Sequence, residues 1–205
     1  YDYTGYGISN GEPSEKQVYK DIIVAVEWLI KKEIVKDTEK ELILYGQSVG
    51  SGPSIYYASN AHNTSCLNMG IAKALGLRKQ LPKIAGLVIH SGILSGLRVF
   101  TDSRLLGCFD PFQNIERIKH ISCPLFVLHG MKDGEVPINH GRGIWDNCPI
   151  DLRHEPWWVK DRGHNDVLEN NDEEYYFRLG NFMSTISTIT GDIKLRGMRR
   201  LETGN

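Results

Sequence analysis

The chain has 205 residues, 40% of them hydrophobic and 24% charged, which suits one soluble globular domain with a sizeable core. Its formal net charge is −1, from 24 Lys and Arg against 25 Asp and Glu, so composition offers no electrostatic basis for binding nucleic acid or an anionic membrane surface. No apolar run approaches the roughly 18 residues of a membrane span, and no signal peptide is visible.

The chain opens on Tyr1-Asp2-Tyr3 rather than on methionine, in what reads as the end of a strand. The expectation is that a further N-terminal portion precedes it. Residues 3–11 are loop material. Pro13-Ser14 then opens a helix, with Ser14 and Gln17 spaced as a capping box and Val18, Ile22, Val26 and Leu29 forming one apolar face. Residues 42–45 read as a buried strand, and the chain beyond Gly50 reads as a helix. Pro53 is tolerated in that helix because the first turn's N–H groups have no intrahelical acceptors.

Residues 61–82 are expected to be a surface insertion with one short helix. Further strands are predicted at 84–89, 125–128 and 155–159, with a helix near 138–147 and a final amphipathic helix over 173–189. The basic tail from 191 to 205 is expected to be disordered. Apolar strands alternating with helices indicate an α/β fold, with a mostly parallel sheet covered on both faces. The domain reading is therefore one α/β domain over 1–190 and a tail.

The cysteines Cys66, Cys108, Cys123 and Cys148 include no C-x-x-C pair. Their spacing suits neither a zinc site nor a disulfide framework, and free thiols in a reducing compartment are expected. No metal and no cofactor is predicted. Asn63-Thr64-Ser65 matches a glycosylation sequon, a triplet common by chance.

Gly46-Gln47-Ser48-Val49-Gly50 fits the G-x-S-x-G pattern of a nucleophile elbow, in which a sharp strand-to-helix turn exposes the serine at the carboxyl edge of the sheet. The motif alone leaves two readings open, a nucleophile and a polar residue in a glycine-rich turn. Its placement between a predicted strand and helix fits the first. A nucleophilic serine needs a base and an orienting acid, which this architecture supplies in the order Ser, Asp or Glu, His. Asp133 follows the strand at 125–128, and His164 follows the strand ending at 159, so all three fall in loops at one sheet edge. Glu135 and Asp166 compete with Asp133. Asp133 is preferred as the carboxylate nearest the strand end, because Asp166 is too close to His164 in sequence to reach its far nitrogen easily. His90 and His129 end strands and are read as packed or hydrogen-bonded within the sheet.

Several stretches, "YDYTGYG", "PSEKQVYKDI", "LILYGQSVG", "IHSGILSGLRV", "CFDPFQNIERIKHISCPLFVLHG" and "GHNDV", resemble the alpha/beta hydrolase domain-containing protein 17 family from Tyr1 to about Met183. The resemblance implies an α/β-hydrolase fold and a serine hydrolase that removes palmitate from protein cysteines. It implies Ser48 as nucleophile, Asp133 as orienting acid and His164 as base, the same three residues that spacing reached. The chain departs from the family in lacking its S-H-G-N-A type turn, which supplies one oxyanion donor, and its palmitoylated N-terminal cysteine cluster. Gly92 stands where the family usually has proline, and the insertion at 61–82 is extra.

The expected chemistry is acyl transfer, with the Val49 backbone N–H as one oxyanion donor. Leu94, Leu97 and Phe100 are expected to line an acyl groove or else to pack a cap onto the sheet. Tyr3 and Tyr6 are expected to flank the site. The expected partner is an acylated protein or a lipid ester at a cytoplasmic location, with membrane attachment only through the segment upstream. Alternatives are a lipase or small-ester carboxylesterase on the same three residues, and a non-catalytic binding module.

Overall fold

A computed structural model describes residues 1–61, 81–96 and 111–202, from 189 onward as backbone alone. The elements are α1 (Glu15–Lys31), α2 (Thr38–Glu41), β1 (Ile43–Gln47), a 3-10 turn (Ser48–Gly50) that runs into α3 (Ser51–Asn60), and β2 (Gly86–His90). They continue with α4 (Asn114–Arg117), β3 (Leu125–Gly130), α5 (Ile138–Asn147), β4 (Trp157–Val159) and α6 (Asp172–Glu202).

Among the described residues the strands form one sheet in the order β1-β2-β3-β4, and every neighbouring pair is parallel. Parallel neighbours require a crossover between strands, so each carboxyl end lies at the same edge of the sheet. The register pairs Gln47 with His90, His90 with Leu128, and Gly130 with Val159. The loops after β1, β3 and β4 consequently leave from one rim.

The sheet is apolar on both faces because both are covered. Leu87, Ile89, Leu125 and Val127 face Val18, Ile22 and Val26 of α1, Ile55 of α3 and Ile144 of α5. The alternate residues Val88, Phe126 and Leu128 face Trp157, Val159, and Phe182 and Ile186 of α6. Each such side chain contributes about 1.5–3 kcal/mol on burial. The interior strand β3, buried at all six positions, is thereby a rigid base for the loop that leaves it.

Four details differ from expectation. Ser14 does cap α1, its Oγ accepting from the Gln17 N–H at 3.2 Å, but the Gln17 side chain does not return to Ser14. It donates to Asp21 Oδ1 at 3.0 Å, a carboxylate that also holds the N–H and hydroxyl of Thr4 at 2.8 and 2.9 Å. A charged acceptor four residues along the helix outcompetes the cap. The strands expected at 84–89 and 155–159 begin later, at Gly86 and Trp157. Leu94, a candidate groove residue, is only 8% exposed and belongs to the core. Its side chain packs over Gly143 of α5, and its backbone is tied to His140 and Ile115.

The final helix, expected to stop near 189, continues to Glu202 and takes in most of the expected tail. No proline interrupts residues 190–202, and Lys, Leu, Arg and Met are good helix formers that offset Gly191 and Gly197. Of the insertion expected at 61–82, residues 62–80 lie outside the described residues, as do Leu97 and Phe100. Among the described residues no helix is long and apolar enough to cross a membrane.

Candidate active site

The turn after β1 places Ser48. Its φ of 51° is in the left-handed region, which a residue with a Cβ adopts only when the surroundings impose it. What imposes it is the close passage of strand and helix. A Cβ on Gly46 would stand 2.5 Å from the Gly50 carbonyl oxygen and 2.8 Å from Ser54 Oγ. Gly50 is different: the nearest atom to a Cβ there is Tyr3 Oη at 3.5 Å, an ordinary contact. Only the first glycine of the motif is therefore required by the lack of space.

Ser51, fully buried, locks the turn. Its hydroxyl donates to the Ser48 carbonyl at 2.6 Å and accepts from the Ile93 N–H at 3.1 Å. It thus ties the turn after β1 to the chain after β2. The Ser51 backbone N–H also donates to the Ser48 carbonyl. That carbonyl belongs to the same planar peptide as the Val49 N–H, so fixing one end aims the other. As the second residue of the 3-10 turn, Val49 has an N–H that a helix start leaves without an internal acceptor.

The loops after β3 and β4 are joined to each other. Met131 N–H donates to the Val159 carbonyl at 2.9 Å, and Lys132 N–H to the Arg162 carbonyl at 2.8 Å. A Cβ on Gly130 would run into the carbonyl oxygens of Gly163 and Arg162, so this glycine lets the loops touch. Asn165 Nδ2 donates to Glu135 Oε1 at 3.1 Å, and Asp166 Oδ1 accepts from the Gly163 N–H at 2.6 Å. The two competing carboxylates are therefore engaged in shaping the loops.

Asp133 is the carboxylate that reaches the histidine. His164 Nδ1 lies 2.7 Å from Asp133 Oδ2, and His164 Nε2 lies 3.0 Å from Ser48 Oγ. Asp133 Oδ1 accepts the N–H groups of Glu135 and Val136 at 3.0 and 2.8 Å. A carboxylate facing Nδ1 makes that nitrogen the donor, which leaves Nε2 to accept from the Ser48 hydroxyl. Asp133 and His164 are buried and Ser48 is partly open. The structure thus brings Ser48, His164 and Asp133 into one hydrogen-bonded chain, with Val49 beside it.

Tyr3 stands beside the turn through its hydroxyl near Gly50. Tyr6 is 56% exposed and edge-on to the Tyr3 ring, with centroids 6.3 Å apart. A hollow of about 580 Å³ among Tyr1, Thr4, Asp21, Val24 and Trp28 lies along α1, and its lining includes none of Ser48, Asp133 and His164.

Two other potential nucleophiles are unsuited to the role. Cys123 and Cys148 are buried free thiols, and burial pushes both up to about 12, far from the thiolate a nucleophile needs. His90 is pushed down to about 4, mainly by burial and further by His129 and His164. Its Nδ1 meets the Tyr45 hydroxyl at 2.9 Å. Among the described residues no group of three or more His, Cys, Asp or Glu could hold a metal ion. Sequence reading missed two residues of this neighbourhood. Ser51 was signalled by its position three residues after Ser48, and His129, which approaches Asp133, by its position four residues before it.

No protein-family model matches the chain. Among curated proteins it is 40% identical over 168 residues to the alpha/beta hydrolase domain-containing protein aho-3 of Caenorhabditis elegans, covering 82% of this chain and 43% of that protein. It is 36% identical over 185 residues to alpha/beta hydrolase domain-containing protein 17C of Homo sapiens, covering 90% of this chain and 48% of the relative. To the human 17B protein it is 35% identical, covering 90% and 55%. The chain thus spans about half the length of the curated relatives it matches. Among solved structures, a Pyrococcus furiosus esterase superposes with a TM-score of 0.62 at 20% identity, covering 90% of this chain and 68% of that one. A Paleococcus ferrophilus monoacylglycerol lipase gives 0.56 at 16% identity, covering 91% and 81%. With its parallel sheet and this ancestry, the chain has the α/β-hydrolase fold and is a homologue of the alpha/beta hydrolase domain-containing protein 17 family.

Proposed function

We propose that the protein is a serine hydrolase that cleaves acyl thioesters or esters, with the S-acylated cysteine of a protein as its substrate. The observation that carries this reading is the chain Ser48 Oγ–His164 Nε2–Asp133, with separations of 3.0 and 2.7 Å. Ser48 Oγ attacks the acyl carbonyl while His164 Nε2 takes its proton. Asp133 holds the imidazole in the required tautomer and balances the charge it gains. The Val49 N–H donates to the developing oxyanion, a contribution of about 3–4 kcal/mol for one such donor. The tetrahedral intermediate collapses by expelling the thiolate or alkoxide, which takes the proton from His164. Water then attacks the acyl-serine, with His164 as base, and releases the fatty acid and Ser48.

The thioester substrate is favoured by the similarity to the protein 17 relatives rather than by any described pocket, since residues 97–110 lie outside the described set. The test is hydrolysis by this chain of an S-palmitoyl peptide and of an ester series of increasing acyl length, each compared with Ser48→Ala. The reading predicts Ser48-dependent cleavage that is fastest on the long-chain thioester. Ser48-dependent cleavage of short esters alone would replace it with a carboxylesterase, and no Ser48-dependent cleavage would leave a binding module.

A further inference from the structure

His129 is a buried histidine for which the proposed reaction has no use. It is the fifth residue of β3, its side chain is fully enclosed, and it points to the same sheet face as Val127. Its Nε2 lies 2.8 Å from the Val136 carbonyl and 3.3 Å from Asp133 Oδ2. Both are acceptors, so Nε2 carries the proton and Nδ1 is bare. Among the described residues Nδ1 has no hydrogen-bond partner. It rests against Gly141 of α5, where a Cβ would come within 2.5 Å of it.

Space filling alone does not account for His129. An apolar side chain would fill the same volume without burying an unpaired acceptor. What an apolar side chain cannot supply is the Nε2–H. That one proton closes the loop from Gly130 to Val136, with Asp133 at its middle, and it faces the same carboxylate oxygen that holds His164.

We propose that His129 is a positioning residue, whose Nε2–H braces the Asp133 loop and shares Asp133 Oδ2 with His164. Asp133 then accepts three hydrogen bonds, from the Glu135 and Val136 N–H groups on Oδ1 and from His164 Nδ1–H on Oδ2, and His129 Nε2, bonded to the Val136 carbonyl, faces Oδ2 at a longer 3.3 Å. The second imidazole fixes the rotation of the carboxylate and draws charge from the oxygen that orients the base. The titratable groups around it are Asp133 on its own loop, His164 from the loop after β4, His140 from α5 and His90 from β2. Burial holds His129 below the ordinary histidine range, which keeps it neutral and in the role of a single donor.

This inference rests on the proposed hydrolase reading for its meaning, and the test separates the two. Histidine side-chain NMR of the 15N-labelled chain reads it without turnover. His129 should show a protonated Nε2 and a bare Nδ1 at neutral pH. The His164 Nδ1 proton should move further downfield in His129→Leu, where it no longer shares Oδ2, and return toward its original position in His129→Gln. An Nδ1–H tautomer in the unsubstituted chain, readable even if His129→Leu does not fold, overturns the proposal. An unmoved His164 proton in folded His129→Leu also overturns it. In parallel, kcat should fall about tenfold in His129→Leu with KM unchanged, the upper end of what loss of one intramolecular hydrogen bond costs. If the unsubstituted chain shows no Ser48-dependent turnover, the hydrolase reading fails while the NMR result still decides the role of His129.

Discussion

At the end of β1 the candidate nucleophile is held by backbone geometry, whereas beyond β3 and β4 its partners are held by hydrogen bonds between loops. Ser48 sits at a φ of 51° because Gly46 lets α3 pass within contact distance of the strand. Asp133 and His164 meet because backbone pairs at Met131–Val159 and Lys132–Arg162 close one loop on the other, with Gly130 between them. The first region stores strain to project a hydroxyl, and the second removes freedom from two ionisable groups. The difference teaches that damage to either should take a different form. A fault in the turn misplaces the serine, and a fault in the loops leaves the serine in place without its base.

The largest effects should come from the two close approaches. Gly46→Ala and Gly130→Ala should each lower acyl-ester turnover by about 100-fold or more, the cost of an ångström-scale misplacement. Fluorophosphonate labelling should distinguish them by active-site titration. Gly46→Ala loses the reactive serine altogether, whereas Gly130→Ala keeps residual slow labelling. Equal behaviour of the two would erase the distinction between the regions.

A second effect concerns His90, at the end of β2 between the two regions. Its folded-state value of about 4 lies below its unfolded value of 6.5. The unfolded chain therefore takes up the proton first as the pH falls. The stability His90 contributes is complete above about pH 6.5 and is lost progressively toward pH 4, by roughly 3 kcal/mol. Urea melts at pH 7 and pH 4.5 should show His90→Phe losing less stability on acidification than the unsubstituted chain.

Smaller again is Ser51→Ala. It removes the hydroxyl that ties the Ser48 carbonyl to the Ile93 N–H, and should cost about 1–2 kcal/mol of stability in thermal melts. It should also lower kcat more than it raises KM, because the peptide it pins carries the Val49 N–H. Least affected should be Gly50→Ala, whose new methyl meets only the Tyr3 hydroxyl at 3.5 Å. Its melting curve should stay within about 0.5 kcal/mol of the unsubstituted chain.

The features legible in sequence were those with strong local signals. Apolar runs announced the four strands of the described residues, the S-x-x-Q spacing announced the start of α1, and the order of the loops picked out Ser48, Asp133 and His164 for comparison. Boundaries and competitions were not legible, because they depend on contacts across the chain. Gln17 turned to Asp21 because Asp21 also anchors Thr4. Leu94 became a core residue because Gly143 opens room for it on α5. The two glycines of the motif look equivalent in the string, and only the approach of α3 to β1 separates their roles. His129 read as packed or hydrogen-bonded within the sheet, and its spacing of four residues from Asp133 did not by itself say that its Nε2 would face that carboxylate.

The most direct test of the central claim is peptide mapping of the chain after reaction with a fluorophosphonate, alongside Ser48→Ala and His164→Ala. The account predicts a single adduct, on the peptide carrying Ser48, absent in Ser48→Ala and formed far more slowly in His164→Ala. An adduct on any other residue, or one formed at an undiminished rate in His164→Ala, would contradict it.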